Sequence, residues 1–257
     1  MLNTILYEQP LNERVRAFMR LEQLFIQTHE FINSDTKWHA RMTMTGLSDI
    51  LEILNRSDLK TDILKELDRN QINLSKLSNT PGVNTQTLNT TLNELDQSYQ
   101  QIINIEGQLG QKLREHEILT GLIKRNSLVG SICSFDLPLF HHWLNSNPVE
   151  RHKNLSELYS SISIIQYAIK LLLSIIRESA IIEDKIAVNG FYQQNLNVKH
   201  PYQMIRVLIP NYTDYFVEIS AGKHRFSIHF LTTNNENNTR TKQVKEDMPF
   251  QLGCCAV

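Results

Sequence analysis

The residues best suited to binding chemistry form a row of cationic side chains in the C-terminal third of the chain. Residues 223–230 alternate between polar and apolar side chains, as a strand does when one face is buried. Alternation places Phe226, Ile228 and Phe230 on the buried face and spaces the outward side chains about 7 Å apart. The outward row is Lys223, Arg225, Ser227 and His229. Such a row is either a solvated strand face or a docking site for an acidic peptide.

A second set of basic residues lies in the N-terminal half. Arg14, Arg16 and Arg20 belong to a segment of helical period and are predicted to point largely away from its apolar face. Basic groups of this kind most often form a solvated helix face. Arg56 falls in a short break between two amphipathic helices, where Ser57 and Asp58 have the residue types of a helix cap. We therefore expect Arg56 to be exposed at a helix–helix corner.

Catalytic and metal-binding patterns are weak by comparison. His141 and His142 are adjacent, and neighbours on a helix point about 100 degrees apart, so one ion does not suit both. Neither histidine has a cysteine or carboxylate partner at a recognised ligand spacing. The sequence contains no G-x-S-x-G, H-E-x-x-H, C-x-x-C or glycine-rich phosphate loop. These observations favour a protein that is not an enzyme and has no cofactor or metal.

The charge balance excludes some classes of partner. The chain has 26 Lys and Arg against 27 Asp and Glu, a formal net charge of −1. A general nucleic-acid binder or membrane-surface protein would carry an excess of positive charge, so any charged site must be local. The first twenty residues lack the basic flank and continuous apolar core of a secretory signal, which predicts a cytoplasmic location.

The three cysteines, Cys133, Cys254 and Cys255, do not form a disulfide framework, and reduced thiols are expected. The ending Cys254-Cys255-Ala256-Val257 has the form of a C-a-a-X prenylation signal. Four-residue matches occur often by chance, and we favour the interpretation that both cysteines lie in a terminal strand.

The elements that position these residues change type along the chain. Residues 1–8 are short and β-compatible and predict an edge strand, whereas the following segments have helical period. Residues 154–184 are apolar on nearly every face and predict one long, central, buried helix. Ionisable residues interrupt this run, which argues against a membrane span.

Beyond residue 184 the period becomes 2, in short runs separated by Asn, Gly and Pro turns, which predicts a small antiparallel sheet. Residues 232–245 are polar and low in complexity and predict a mobile hairpin loop. The predicted architecture is α+β, with a predominantly helical domain at 1–185, joined by the edge strand to the sheet, and a β domain at 186–257.

Seven blocks, in order from residue 7 to residue 255, carry a resemblance to a known family. They are YEQPLNERVRAFMRLEQLF, LKTDILKELDRN, LGQKLREHEILTGLIKRNS, CSFDLPLFHHWL, VNGFYQ, ISAGKHRFSIHF and the Cys-Cys ending. With these blocks the chain resembles the ZapD family of bacterial cell division factors, which are associated with FtsZ. The resemblance implies a cytoplasmic homodimer without catalytic activity that binds FtsZ and cross-links its filaments at midcell, stabilising the Z-ring.

The same resemblance implies which residues contact the partner. Family members are thought to recognise the C-terminal tail of FtsZ through basic surface residues, and the matching positions are Arg56 and Arg225. His229 stands where a further arginine is expected, which weakens the charge at pH 7 because a free imidazole is mostly neutral there. Lys223 is expected to compensate, and Arg14, Arg16 and Arg20 are the next candidates for contacts.

Two other functions remain as alternatives. A nucleic-acid-binding regulator would use Arg14, Arg16 and Arg20 together with the Lys223 row, and its affinity would fall steeply with salt. A hydrolase with an unrecognised site would need a pocket of strongly perturbed titratable groups. The net charge of −1 speaks against the first alternative.

Overall fold

The computed structural model describes residues 4–34, 36–125, 132–197, 199–211, 214–222, 224–233 and 241–256. These residues form nine α-helices and two antiparallel β-sheets, which confirms the predicted α+β class. The chain divides into two compact units. The β unit comprises Met1–Arg16 and Leu173–Val257, and the helical unit comprises Ala17–Leu172. The division at residue 185 stays a prediction about independently folding domains, which these units do not test.

The helices begin and end where the local sequence favours it. The Thr36 hydroxyl accepts a hydrogen bond from the backbone N–H of His39, and the Asn84 side chain accepts from Gln86 and Thr87, so both residues cap the helices that follow them. Pro148 occupies the first turn of its helix, where its missing N–H costs nothing. The helices are α1 (Glu13–Ile32), α2 (Lys37–Leu54), α3 (Leu59–Ser75), α4 (Thr85–Ile103), α5 (Gln111–Glu115), α6 (Glu117–Ile123), α7 (Pro138–Leu144), α8 (Pro148–Ser160) and α9 (Ser163–Glu178).

The prediction of one continuous helix over 154–184 is wrong. The apolar run forms α8 and α9, which are bent by 51° at Ser161 and Ile162. The N–H of Ile162 bonds to the carbonyl of Tyr159, three residues back, and the Ser161 hydroxyl donates to the Leu158 carbonyl at 2.6 Å. Serine hydroxyls that bond to preceding carbonyls often accompany helix bends. Helix α9 ends at Glu178, and Ile182, predicted to lie on the helix, begins a strand.

Most of the apolar side chains of this run are nevertheless buried, including Leu155, Ile169, Leu172 and Ile176. Among the described residues no single helix is both long and apolar enough to cross a bilayer; α8 and α9 meet the length and composition limits only as a bent pair.

The β unit contains two four-stranded sheets rather than the single sheet predicted. The first sheet has the order β1-β4-β8-β2, and the second has the order β3-β6-β5 with β7 paired to β6. All the pairings are antiparallel. The strands are β1 (Thr4–Pro10), β2 (Ile182–Ala187), β3 (Phe191–Asn195), β4 (Tyr202–Pro210), β5 (Tyr215–Ala221), β6 (Arg225–Thr233), β7 (Thr241–Gln243) and β8 (Met248–Ala256). Of the predicted 232–245 loop, residues 234–240 lie outside the described part of the chain.

The two sheets share one apolar core. Phe226, Ile228 and Phe230 from β6 lie in the same buried cluster as Phe250 and Leu252 from β8. The rings of Phe230 and Phe250 have centroids 5.4 Å apart in a tilted arrangement, which is favourable for aromatic pairs. This packing fixes which face of β6 is turned inward and therefore which face can meet a partner.

A charged cluster ties β1 to the rest of the β unit. The Glu8 carboxylate accepts hydrogen bonds from Arg177 Nη2 at 2.8 Å and from Arg206 Nε at 3.0 Å. Glu8 and Arg206 are paired residues of β1 and β4, and Arg177 comes from the last turn of α9. The Glu8 side chain is only 11% exposed, so these contacts are shielded from much of the solvent.

Candidate partner-binding site

Strand β6 presents its polar face on the outside of the second sheet. Phe226, Ile228 and Phe230 are at most 1% exposed, whereas Arg225 is exposed and Ser227 and His229 are half-buried. The alternation predicted from the sequence is therefore present. No described carboxylate forms an ion pair with Arg225. Its guanidinium is therefore available to pair with a carboxylate of another molecule. Lys223, predicted to belong to the same row, lies outside the described residues.

An open pocket of about 630 Å³ surrounds Arg225. Its wall combines the guanidinium with the amide of Gln193 on β3 and the hydroxyls of Ser220 and Ser227 on β5 and β6. A carboxylate can take two parallel hydrogen bonds from a guanidinium, and the amide and hydroxyls can bond a peptide backbone. The pocket is thus suited to an anionic, hydrogen-bonding ligand.

His229 has neighbours that the sequence pattern did not indicate. The register places Phe191 of β3 on one side of it and Glu218 of β5 on the other, directly opposite in the ladder. The His229 and Phe191 ring centroids are 4.8 Å apart. Because directly paired residues point to the same face of a sheet, the exposed Glu218 carboxylate lies within the predicted cationic row. This end of the row is therefore less positive than the Arg225 end.

Arg56 lies in the turn between α2 and α3 of the helical unit and is exposed, as predicted. Its Nη2 atom is 3.3 Å from Asp58 Oδ2, and this hydrogen bond from Arg56 lowers the pKa of the Asp58 carboxyl. Both side chains are well exposed, so the pair is weak and a competing carboxylate can displace Asp58.

Two further cations lie beside Arg56, and sequence reasoning missed both. Lys60 Nζ is 2.7 Å from the Ile105 carbonyl, just beyond the end of α4. Arg114 Nη2 is 2.9 Å from the Leu54 carbonyl, and its Nη1 donates to Asn55, at the end of α2. Each cation therefore stabilises the carbonyl end of a helix. Arg56, Lys60 and Arg114 line a pocket of about 300 Å³.

The three arginines of α1 do not form one patch. Arg16 and Arg20 are four residues apart and share a helix face, whereas Arg14 is about 160 degrees away from Arg16 around the axis and half-buried. Arg16 Nη1 is already 2.8 Å from Glu13 Oε1. Arg20, by contrast, is exposed.

The described residues contain no group of three His, Cys, Asp or Glu side chains that could hold a metal ion. His141 and His142 are both exposed on α7. The two arginine sites, around Arg56 and around Arg225, thus remain the candidates for binding, each in its own unit.

Residues missed by sequence reasoning share one property: they reach the site through pairing or packing with distant segments. Glu218 and Phe191 are brought to His229 by strand register, and Arg114 reaches the Arg56 turn from a helix almost sixty residues away. The sequence offered a partial signal only for Glu218, since it alternates with the inward-facing Val217 and Ile219 on a predicted strand.

The fold is that of an α+β protein that exposes Arg225 in a polar pocket of its second sheet. Comparison with known proteins identifies the family of the chain. A family model described as ZapD, cell division protein, matches residues 19–229. A cell division protein ZapD from Methylococcus capsulatus is 39% identical over 255 residues, covering 99% of both chains. Those from Nitrosomonas eutropha and Coxiella burnetii are each 34% identical, covering 98% and 99% of this chain and 100% and 98% of theirs.

The matches span nearly the whole chain, so the class is that of bacterial cell division proteins. The chain belongs to the ZapD family. This confirms the resemblance identified from the seven sequence blocks and supports a role in cell division. The relatives carry the names of cell division proteins and not of enzymes.

Proposed function

We propose that the protein is a cytoplasmic cell division factor that binds the C-terminal tail of FtsZ and, as a homodimer, cross-links and bundles FtsZ filaments at midcell. It works without catalysis or a cofactor, because cross-linking needs two identical binding sites on one particle and no chemical step. Membership of the ZapD family supports the role in cell division. The observation that carries the binding mode is the exposed Arg225, which no described carboxylate neutralises, in a polar pocket.

The Arg225 pocket fits an acidic, extended peptide. A tail carboxylate would pair with the guanidinium, and Gln193, Ser220 and Ser227 would bond the tail backbone. Arg56, whose described ion pair is with the exposed Asp58, would take a second carboxylate on each chain. Arg16 and Arg20 are further candidates for weaker contacts.

Co-sedimentation tests the proposal directly. FtsZ filaments assembled with GTP are pelleted with the protein, and the experiment is repeated with FtsZ lacking its C-terminal tail. We expect the protein in the pellet only with full-length FtsZ, together with a rise in light scattering from bundles. Absence of the protein from the full-length pellet would overturn the function, and equal pelleting with tailless FtsZ would overturn the tail as its target.

A further inference from the structure

Strand β2 is an edge strand that remains open in the described structure. It pairs with β8 on one side, and no described strand pairs with its other side. Four apolar side chains at or beside this edge are unusually exposed: Ile181 (80%), Ile182 (41%), Ile186 (59%) and Val188 (57%). An exposed apolar edge with unpaired backbone groups is a template for a further strand.

The sequence of β2 is complementary to itself when it is reversed. Residues 182–186 read Ile-Glu-Asp-Lys-Ile, so inversion about Asp184 exchanges isoleucine with isoleucine and glutamate with lysine. Glu183 and Lys185 attract each other already within one strand, with Lys185 Nζ 2.6 Å from Glu183 Oε2. Charged residues often keep edge strands apart, but here the two signs are arranged to match a second copy of the same strand.

We propose that two copies of this chain associate by antiparallel pairing of their β2 strands about a two-fold axis at Asp184. The pairing places Ile182 of one copy opposite Ile186 of the other, and Glu183 opposite Lys185, twice each. This inference rests on the proposed function, in which a homodimer cross-links filaments. The β2 interface would join two chains and would therefore place two FtsZ-binding sites on one particle.

The register of the β2–β2 pairing distinguishes the Asp184-centred arrangement from pairings centred on neighbouring residues. Only pairings centred on a residue keep the apolar core face of both sheets on the same side, because side chains alternate with period 2. Centring on Glu183 would set Ile182 against Asp184, and centring on Lys185 would set Ile186 against Asp184. The Asp184 centre alone joins apolar to apolar and opposite charge to opposite charge. The pairing also brings the two Asp184 carboxylates face to face, which is unfavourable because they repel each other. Each of them accepts a hydrogen bond from Gln251 of its own chain at 3.1 Å.

Charge reversal and charge exchange test the pairing by sedimentation equilibrium. Lys185→Glu should raise the dissociation constant of the dimer about tenfold, because two attractive pairs become repulsive. The double variant Glu183→Lys/Lys185→Glu restores opposite charges across the axis and should return to within about threefold of wild type. Asp184→Asn removes the repulsion on the axis and should tighten the dimer.

A cysteine placed on the axis gives an independent test. Directly opposed residues in an antiparallel pair have Cα atoms about 5 Å apart, within the range of a disulfide. In a Cys133→Ser background, which removes the exposed thiol, Asp184→Cys should form a covalent dimer under mild oxidation. Glu183→Cys is the matched control, since on the same strand it would face Lys185 and not itself.

The outcomes separate this inference from the proposed function. A wild-type dimer that is insensitive to all the β2 variants, with no faster cross-linking at position 184 than at 183, would overturn β2 pairing while the homodimer stands. A wild-type monomer at all concentrations would overturn both the homodimer and the pairing, and FtsZ co-sedimentation would then still test filament binding by itself.

Discussion

Arg225 is the residue whose charge matters most for the proposed tail binding. Arg225→Glu should weaken the binding of a labelled FtsZ tail peptide about tenfold, because an attractive contact worth about 1 kcal/mol becomes repulsive. Arg56→Glu should weaken binding less, since Asp58 already competes for this guanidinium. Fluorescence anisotropy measures both, and wild-type affinity should fall as salt is added.

The control for these reversals is Lys65→Glu, which makes the same charge change at an exposed position of α3. It should bind like wild type, and circular dichroism should show all three variants folded. Unchanged affinity in both arginine variants would remove these sites from the mechanism and direct attention to Arg16 and Arg20.

His229 and Glu218 lie on the same face as Arg225, and we expect Glu218 to weaken the binding of an acidic peptide. Glu218→Gln should tighten tail binding several-fold because it removes a carboxylate that repels an acidic peptide. His229→Arg should also tighten binding at pH 7.

Peptide titrations at pH 7 check this prediction, and Thr233→Ala, at an exposed position of the same strand outside the Arg225 pocket, serves as a control for disturbance of the face. The groups that set the charge around His229 are Glu218 and, farther along the strand, Arg225. Unchanged affinity in both Glu218→Gln and His229→Arg would show that this end of the face does not contribute to tail binding.

The cysteines differ sharply in environment. Burial raises the pKa of the Cys255 thiol to about 12 and also raises that of Cys254, whereas Cys133 is exposed. A raised pKa leaves less reactive thiolate at pH 8, so one thiol should react quickly with DTNB in the native protein and all three in urea. Cys255→Ser should bundle filaments normally in reducing buffer. Rapid reaction of two or more thiols without urea would show that the terminal strand opens.

At the scale of elements, the Glu8 cluster holds β1 and the end of α9 to β4. Removing the shared carboxylate leaves Arg177 and Arg206 facing each other, so Glu8→Gln should lower the free energy of unfolding by about 2 kcal/mol in urea titrations. Glu13→Gln removes a carboxylate from the exposed Arg16 pair and should cost less than about 0.5 kcal/mol. Equal effects of the two substitutions would mean that the cluster adds little to the fold.

The break between α8 and α9 explains why the prediction of one helix over residues 154–184 was wrong. The apolar pattern runs on through Ile162 and Ile165, both buried, and does not distinguish one helix from two. Two local hydrogen bonds accompany the break, from Ile162 N–H to the Tyr159 carbonyl and from the Ser161 hydroxyl to the Leu158 carbonyl. The helical period of apolar residues indicates which side chains are buried but not the path of the backbone. The apolar pattern therefore did not predict the bend.

At the scale of the whole molecule, the proposed cross-linking separates binding from bundling. A variant that is monomeric by sedimentation should bind the tail peptide with near-wild-type affinity but should not increase the light scattering of FtsZ filaments, because bundling needs two sites per particle. Lys185→Glu and its restoring double variant form a matched pair for this measurement. Bundling by a confirmed monomer would show that one chain carries two filament sites.

The sequence by itself determined the properties that depend on local period and composition. It predicted the α+β class, the outward direction of Arg225, the exposed corner at Arg56 and, through seven ordered blocks, the family. The two arginine predictions depend on a few consecutive residues each, because alternation with period 2 or 3.6 fixes a face without reference to the rest of the chain. The class and the family follow from the order of such local patterns along the sequence. Tertiary structure alone decided which residues meet across the chain.

The meeting of Glu218 and Phe191 at His229, of Arg114 and Lys60 around Arg56, and of Glu8 with Arg177 and Arg206 all required distant segments to come together. Strand order decided that the apolar side chains of β2 lie on an edge. The physical reason is that register and sheet order are set by packing of the shared core between the two sheets, a property of many segments at once that no single segment carries.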